Sequence, residues 1–64
     1  AVKAIPVLQR AETLMPADAD VQYNLGLAYE ITGAFDKARA HYLKGARLKP
    51  EDSQLKDALK RVQQ

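Results

Sequence analysis

A 34-residue internal repeat is the feature that most limits how this chain can fold. Two prolines, Pro16 and Pro50, stand 34 residues apart, and identical residues recur around them at the same interval. A period of this size marks one supersecondary unit that must stack on neighbours, because a single unit cannot bury its apolar face alone. The chain is therefore predicted to be a piece of a stacked helical array, which presents extended surfaces to other proteins. The recurring pairs are Lys3 and Lys37, Ala4 and Ala38, Leu14 and Leu48, Asp18 and Asp52, and Leu25 and Leu59.

Proline, aspartate and glycine divide the chain into four predicted helices. Pro16 and Pro50 each end a helix, because the residue before a proline disfavours α geometry. Asp18 is a good N-cap for the next helix, and Gly33 ends that helix by taking a left-handed conformation. The predicted helices cover roughly residues 4–15, 19–32, 35–48 and 53–64, each with apolar residues at helical spacing. Short connections make neighbouring helices antiparallel, so the predicted fold class is all-α, a stack of helical hairpins.

Residues 19–52 read ADVQYNLGLAYEITGAFDKARAHYLKGARLKPED, and this segment resembles the tetratricopeptide repeat (TPR) family over its whole length, without an insertion. On this resemblance, small residues allow paired helices to approach closely and aromatic side chains fill the space around them. The structural positions of the repeat are matched here by Leu25, Gly26, Tyr29, Gly33, Phe35, Ala38, Tyr42, Gly45 and Pro50.

Two residues depart from the family pattern. Gln22 stands where a bulky aromatic residue is frequent, and Gly45 stands where alanine is usual. Glycine at that position is expected to cost about 1 kcal/mol of helix propensity relative to alanine. Because the match is spread over many other positions, neither departure changes the assignment.

The resemblance also predicts how the rest of the chain is organised. Residues 1–16 fit the second helix of a preceding repeat, residues 17–50 form a full repeat, and residues 51–64 fit a capping helix. Lys60 occupies the position that Gly26 holds in the full repeat, and a long charged side chain there argues against close docking of a further helix. The expected unit is thus the C-terminal end of an array. Val7 and Leu8 are expected to be partly uncovered within this chain, and to be covered by a second copy, by neighbouring molecules in a crystal or by an upstream part of the array.

The resemblance implies a concave groove lined by the first helix of each repeat. Tyr23 and Leu27 are the most informative positions, because neither is needed for packing within the repeat on this reading, and both suit the helix or extended peptide of a partner protein. An alternative is that Leu27 packs against Leu55 or a missing repeat. The predicted groove residues are Asp20, Tyr23, Leu27, Glu30, Ile31, Gln54, Asp57 and Arg61.

Other site classes have little support in the sequence. Asn24 alone matches the carboxylate clamp of chaperone-binding TPR domains, and the clamp's other polar residues are not reproduced. His41 is the single histidine and the chain has no cysteine, so no metal site, cofactor or catalytic arrangement is predicted. We expect His41 to lie on the outward side of the third helix. The expected function is a non-enzymatic protein interaction scaffold, with array capping or self-association as the structural alternative.

Charge is distributed unevenly along the chain. Residues 1–36 carry two basic and five acidic side chains (net −3), and residues 37–64 carry eight basic and three acidic (net +5). The basic residues lack interleaved aromatics for stacking on bases, which argues against nucleic acid and favours a solvated face. No apolar run is long enough for a membrane span. The basic set is Lys37, Lys44, Arg47, Lys49, Lys56, Lys60 and Arg61.

Overall fold

Four helices, connected by short loops, make up the described part of the chain. The computed structural model describes residues 4–63, with side chains from residue 5 onward. The helices are α1 (Ala4–Leu14), α2 (Ala19–Ile31), α3 (Phe35–Leu48) and α4 (Ser53–Gln63). The predicted all-α class is therefore confirmed, while the expectations for Lys3, the Ala4 side chain and Gln64 fall outside the described residues.

The helix boundaries follow the predicted signals. The Asp18 carboxylate accepts hydrogen bonds from the backbone N–H groups of Asp20, at 2.8 Å, and Val21, at 3.3 Å, at the start of α2. Asp52, its counterpart one repeat later, accepts from the backbone N–H of Leu55 at 3.1 Å. Both carboxylates satisfy donors that a helix start leaves without an intrahelical partner.

Gly33 ends α2 in the left-handed conformation, with a φ of 85°. Its N–H donates to the carbonyl of Glu30 at 3.1 Å, and the N–H of Ala34 donates to the carbonyl of Tyr29 at 2.8 Å. These two bonds form a Schellman motif, which turns the chain sharply into α3.

Replacing Gly33 with alanine is expected to destabilise the fold by about 1–2 kcal/mol, because a Cβ is disfavoured in left-handed backbone. The cost should lie in the backbone alone, since a Cβ at this position would meet no atom within 4 Å. Urea unfolding followed by circular dichroism measures the change. Gly33→Asn is the control and should lose less, because asparagine tolerates this conformation; equal losses for both variants would contradict the explanation.

The core lies where α2 meets α3 and α4. The side chains of Leu25, Tyr42 and Leu55 are almost fully buried there, together with Ala38 and Ala58. A Cβ built on Gly26 would overlap the Tyr42 ring, and one on Gly45 would lie 2.9 Å from Cδ2 of Leu55. Both glycines therefore permit close helix packing, so Gly45 has a steric role that its propensity cost alone does not suggest.

Phe35 corrects one expectation. The resemblance placed its ring among the side chains that fill the space between paired helices, but the residue is 54% exposed. It is the first residue of α3, at the open edge of the α2–α3 hairpin, and is not among the side chains packed on the core. The periodic leucines Leu14 and Leu48 are exposed as well, so apolar identity at the repeat interval does not by itself imply burial.

Candidate functional site

Helices α2 and α4 both pack against α3, and they run in the same general direction because short loops make each of them antiparallel to α3. The two helices are linked by Glu30 on α2, whose carboxylate accepts two hydrogen bonds from the Arg61 guanidinium on α4, both at 3.1 Å. Two parallel bonds of this kind give a charge pair a defined geometry. We call the eight predicted groove residues on these two helices the inner face; they are Asp20, Tyr23, Leu27, Glu30, Ile31, Gln54, Asp57 and Arg61.

A third helix reaches the same pair through the core. The Tyr42 hydroxyl on α3 donates to the Glu30 carboxylate at 2.8 Å. The ring can extend there because Gly26 has no side chain in its path. Glu30 thus joins α2 to both α3 and α4, a link that the sequence did not reveal.

The titration behaviour of these groups reflects their contacts. The hydrogen bonds from Arg61 hold the pKa of Glu30 below its ordinary value of 4.5, although partial burial opposes them. Burial and the neighbouring carboxylate raise the pKa of Tyr42, and the Glu30 hydrogen bond raises the pKa of Arg61. At neutral pH, Glu30 and Arg61 are therefore an ion pair next to a neutral phenol.

Tyr23 and Leu27 are half-buried on the inner face. Both pack against the core, and the Tyr23 ring lies 5.9 Å from the Tyr42 ring, between centroids, at an interplanar angle of 42°. This corrects the expectation that neither residue takes part in packing within the repeat. Each has one side against the core and leaves another side accessible.

The other predicted groove residues remain accessible. Ile31 is 73% exposed, and Asp20, Gln54 and Asp57 are exposed as well. Arg61 differs from them, because its guanidinium is engaged by Glu30. That these eight residues form a binding site stays a prediction.

A second polar cluster joins α1 to α2 and α3. Gln22 is fully buried; its amide nitrogen donates to Glu12 at 2.9 Å, and its amide oxygen lies 2.8 Å from Nδ1 of His41. Because that oxygen can only accept, the neutral imidazole carries its proton on Nδ1. Lys44 adds a contact of 3.5 Å to Glu12. The sequence signal for this cluster was Gln22 itself, a polar residue where the family frequently has an aromatic one.

His41 is therefore not the simple outward-facing residue that the sequence predicted. Its ring is half-buried and stacks on Tyr29, with centroids 5.4 Å apart. The Tyr29 hydroxyl in turn accepts a hydrogen bond from Gln9 of α1 at 3.0 Å, and Lys37 lies over the same ring. Helical position alone misplaced His41, because its side of α3 faces Gln22 and Tyr29 of α2, with Glu12 of α1 beside them.

Ionisation in this cluster is shifted by its surroundings. The Gln22 hydrogen bond holds the pKa of Glu12 below 4.5, assisted by the charges of His41 and Lys44 and opposed by burial. Burial lowers the pKa of His41 below 6.5, although the Glu12 carboxylate raises it. Among the described residues, no three His, Cys, Asp or Glu side chains are grouped to hold a metal ion. The arrangement is that of a structural hydrogen-bond network.

The central segment of the chain matches a known protein family. The family model described as Tetratricopeptide repeat matches residues 19–52, which is more than half of the chain. No curated protein or solved structure matches the chain. Within residues 4–63, every helix is too short or too polar to cross a membrane.

Proposed function

The chain belongs to the tetratricopeptide repeat family, and we propose that its inner face binds a segment of another protein. Repeats of this family are generally non-enzymatic modules of protein–protein interaction. The observation that supports this surface is the parallel pairing of α2 and α4 through Glu30 and Arg61. The pair links α2, which carries Tyr23 and Leu27, to α4.

The energetic centre of the proposed surface is the apolar strip of Tyr23, Leu27 and Ile31. These residues follow one another at i, i+4 and i+8 along α2, so they form a continuous ridge. Tyr23 and Leu27 are held by the core, which limits the side-chain entropy lost on binding. Aromatic residues that are fixed and partly accessible are typical of binding hot spots.

Ile31→Ser and Tyr23→Ala are expected to weaken binding, Tyr23→Ala by at least tenfold. The probes are peptides selected on the 64-residue chain from a phage library of random 12-residue sequences, and their affinities are measured by fluorescence polarisation. Ile31→Ser is informative because an exposed side chain contributes little to folding. Val7→Ser on α1 is the matched control, since Val7 is 69% exposed and Ile31 is 73% exposed.

The control should leave peptide binding unchanged. Circular dichroism and urea unfolding identify any variant whose loss comes from unfolding, which matters most for Tyr23 because it packs on Tyr42. If Val7→Ser weakens binding as much as Ile31→Ser, or if neither inner-face variant has an effect, the proposed surface is wrong.

A second candidate function is structural and is supported by the outward face of α4. Gln22, Gly26 and Tyr29 are buried in α2, but their counterparts 34 residues later, Lys56, Lys60 and Gln63, are all exposed. We propose that this polar face allows α4 to close an array, because solvated terminal helices keep such stacks soluble.

Self-association is the other form of the structural role. Val7 and Leu14 lie two turns apart on α1 and are 69% and 75% exposed, so a second copy could cover both. Sedimentation equilibrium of the variants above separates the roles. A dimer that Val7→Ser dissociates, together with unchanged peptide binding in the Tyr23 and Ile31 variants, would favour the structural role over the groove.

A further inference from the structure

The inner face carries a charge opposite to that of the rest of the chain. Its eight residues include three carboxylates and one guanidinium, a net charge of −2. The whole chain has a net charge of +2, so the remaining residues carry +4. The negative inner face includes residues from both halves of the sequence. This charge separation therefore differs from the one between residues 1–36 and residues 37–64.

The pairing of Glu30 with Arg61 determines which charges are available to a partner. These two groups neutralise each other on the inner face. Asp20 and Asp57 are exposed, and in the described part of the chain neither carboxylate takes part in an ion pair. Two unpaired negative charges therefore remain on the surface that Tyr23, Leu27 and Ile31 make apolar.

Asp20 and Asp57 lie on the two helices that the Glu30–Arg61 pair links. Asp57 is one turn before Arg61 on α4, and Arg61 contacts Glu30 on α2. Asp20 lies about one turn before Tyr23 on α2. A ligand seated on the apolar strip would therefore have one carboxylate about a turn away along α2 and another on α4, the helix that Arg61 links to α2.

We propose that the inner face binds a basic segment of a partner protein, with an apolar side chain on Tyr23 and Leu27 and Lys or Arg side chains facing Asp57 and Asp20. This inference rests on the proposed function of the same surface. Charge complementarity selects the partner, because an acidic segment would meet two unpaired carboxylates while a basic one would be attracted to them. The net positive charge of the whole chain would instead favour an acidic segment. The charge of the bound segment therefore distinguishes the two possibilities.

Selection of phage-displayed random 12-residue peptides on the chain tests the charge preference. The enriched peptides are expected to contain more Lys and Arg than Asp and Glu, together with at least one large apolar residue. For a synthetic peptide of this type, Asp57→Asn and Asp20→Asn should each weaken binding about two- to fivefold, the usual range for exposed charge pairs. The double variant should weaken binding about tenfold, and added salt should reduce the difference from wild type.

Glu51→Gln is the matched control, since it also removes one exposed negative charge but lies in the α3–α4 loop. It should change the affinity by less than the inner-face variants, whereas an equal effect would mean that only net charge matters and would overturn the inference. Enriched peptides that lose affinity with Tyr23→Ala but are neutral or acidic would overturn the basic preference and leave the groove intact. Peptides indifferent to Tyr23→Ala and Ile31→Ser, or the absence of any enrichment, would count against both proposals.

Discussion

Replacing Gly26 with alanine is expected to destabilise the fold by about 1–3 kcal/mol, the usual cost of adding atoms to a filled core. A Cβ at this position would overlap the Tyr42 ring, whose Cδ1 atom would be 2.5 Å away. The ring has little room to move aside, because Tyr42 is fully buried and its hydroxyl is bonded to Glu30. The substitution should therefore also disturb the contact that aligns α2 with α4.

The helix propensity of alanine works in the opposite direction at this site. Alanine is favoured over glycine in a helix interior by about 1 kcal/mol, so a propensity argument alone predicts stabilisation. The steric cost should exceed that gain, since the obstructing atoms belong to a buried aromatic ring and not to the end of a flexible chain. In a chain of this size, where the core rarely supplies more than about 3–5 kcal/mol, such a loss should be prominent.

Urea unfolding monitored by circular dichroism measures the effect of Gly26→Ala. Asn24→Ala is the control, because Asn24 is exposed on the same helix and should change stability little or raise it slightly. The Tyr42→Leu background supplies a second test, since α1 has Leu8 at the position equivalent to Tyr42. The alanine should cost less there than in wild type, and the difference is the coupling between the two sites. If Gly26→Ala destabilised the Tyr42→Leu variant as much as it destabilises the wild type, the Tyr42 ring would not be the cause of the steric cost.

Gly26 illustrates what the sequence could predict. The helix boundaries at Asp18, Gly33 and Pro50 follow from local backbone chemistry, which acts within a few residues. The close approach at Gly26 follows from the repeat period and the family resemblance together. Pro16 and Asp18 recur one period later as Pro50 and Asp52, so one chain carries enough information to predict the helix boundaries.

The links between helices were not predictable in the same way. The contacts of Glu30 with Tyr42 and Arg61 join residues 12 and 31 positions apart on three helices. A helical pattern tells which face of a helix is apolar, but it does not tell which polar side chains meet across an interface. His41 was misplaced for this reason, since its half-buried ring contacts polar and aromatic side chains of α2 as well as Glu12 of α1.

Phe35 shows a different limit. Its aromatic character and its match to a family position both favoured burial, yet it lies at the first turn of α3 and is largely exposed. Whether Phe35 is buried depends on which structural elements pack against the start of α3. The aromatic character of the side chain does not determine those neighbours. The accessibility of the inner face likewise depends on how the neighbouring helices pack. The structure was therefore needed to show that Tyr23 is half-buried against the core.

Gln22→Leu is expected to destabilise the fold by about 1–3 kcal/mol, the range for leaving buried polar partners unsatisfied. Leucine is similar in size but can neither donate to Glu12 nor accept from Nδ1 of His41. The loss should be greatest in the attachment of α1, because Glu12 lies on that helix. Hydrogen exchange by NMR should therefore show reduced protection in α1 before α2 and α3, and uniform loss across all helices would contradict this assignment.

The pH dependence of stability provides a separate signature of the same cluster. His41 has a pKa below its ordinary 6.5 in the folded chain, so its contribution is fully present above pH 6.5 and is lost as pH falls through the folded pKa. Glu12 has a pKa below 4.5, so its contribution is present above that pH and is lost on further acidification. Wild-type stability should therefore decline in two stages below pH 6.5.

Each stage can be assigned by a variant that changes one group. His41→Asn keeps a donor for Gln22 but does not titrate, so it should reduce the first stage and leave the second. Gln22→Leu removes the largest cause of the lowered Glu12 pKa, so it should reduce the decline below pH 4.5 while the His41 stage persists. Urea unfolding at a series of pH values measures both. If Gln22→Leu lowered stability equally at every pH, the Gln22 hydrogen bond would not be what favours the charged form of Glu12. Gln22 would then act mainly as a packing residue, like the aromatic residue that is frequent at this family position, and not as the centre of a polar network.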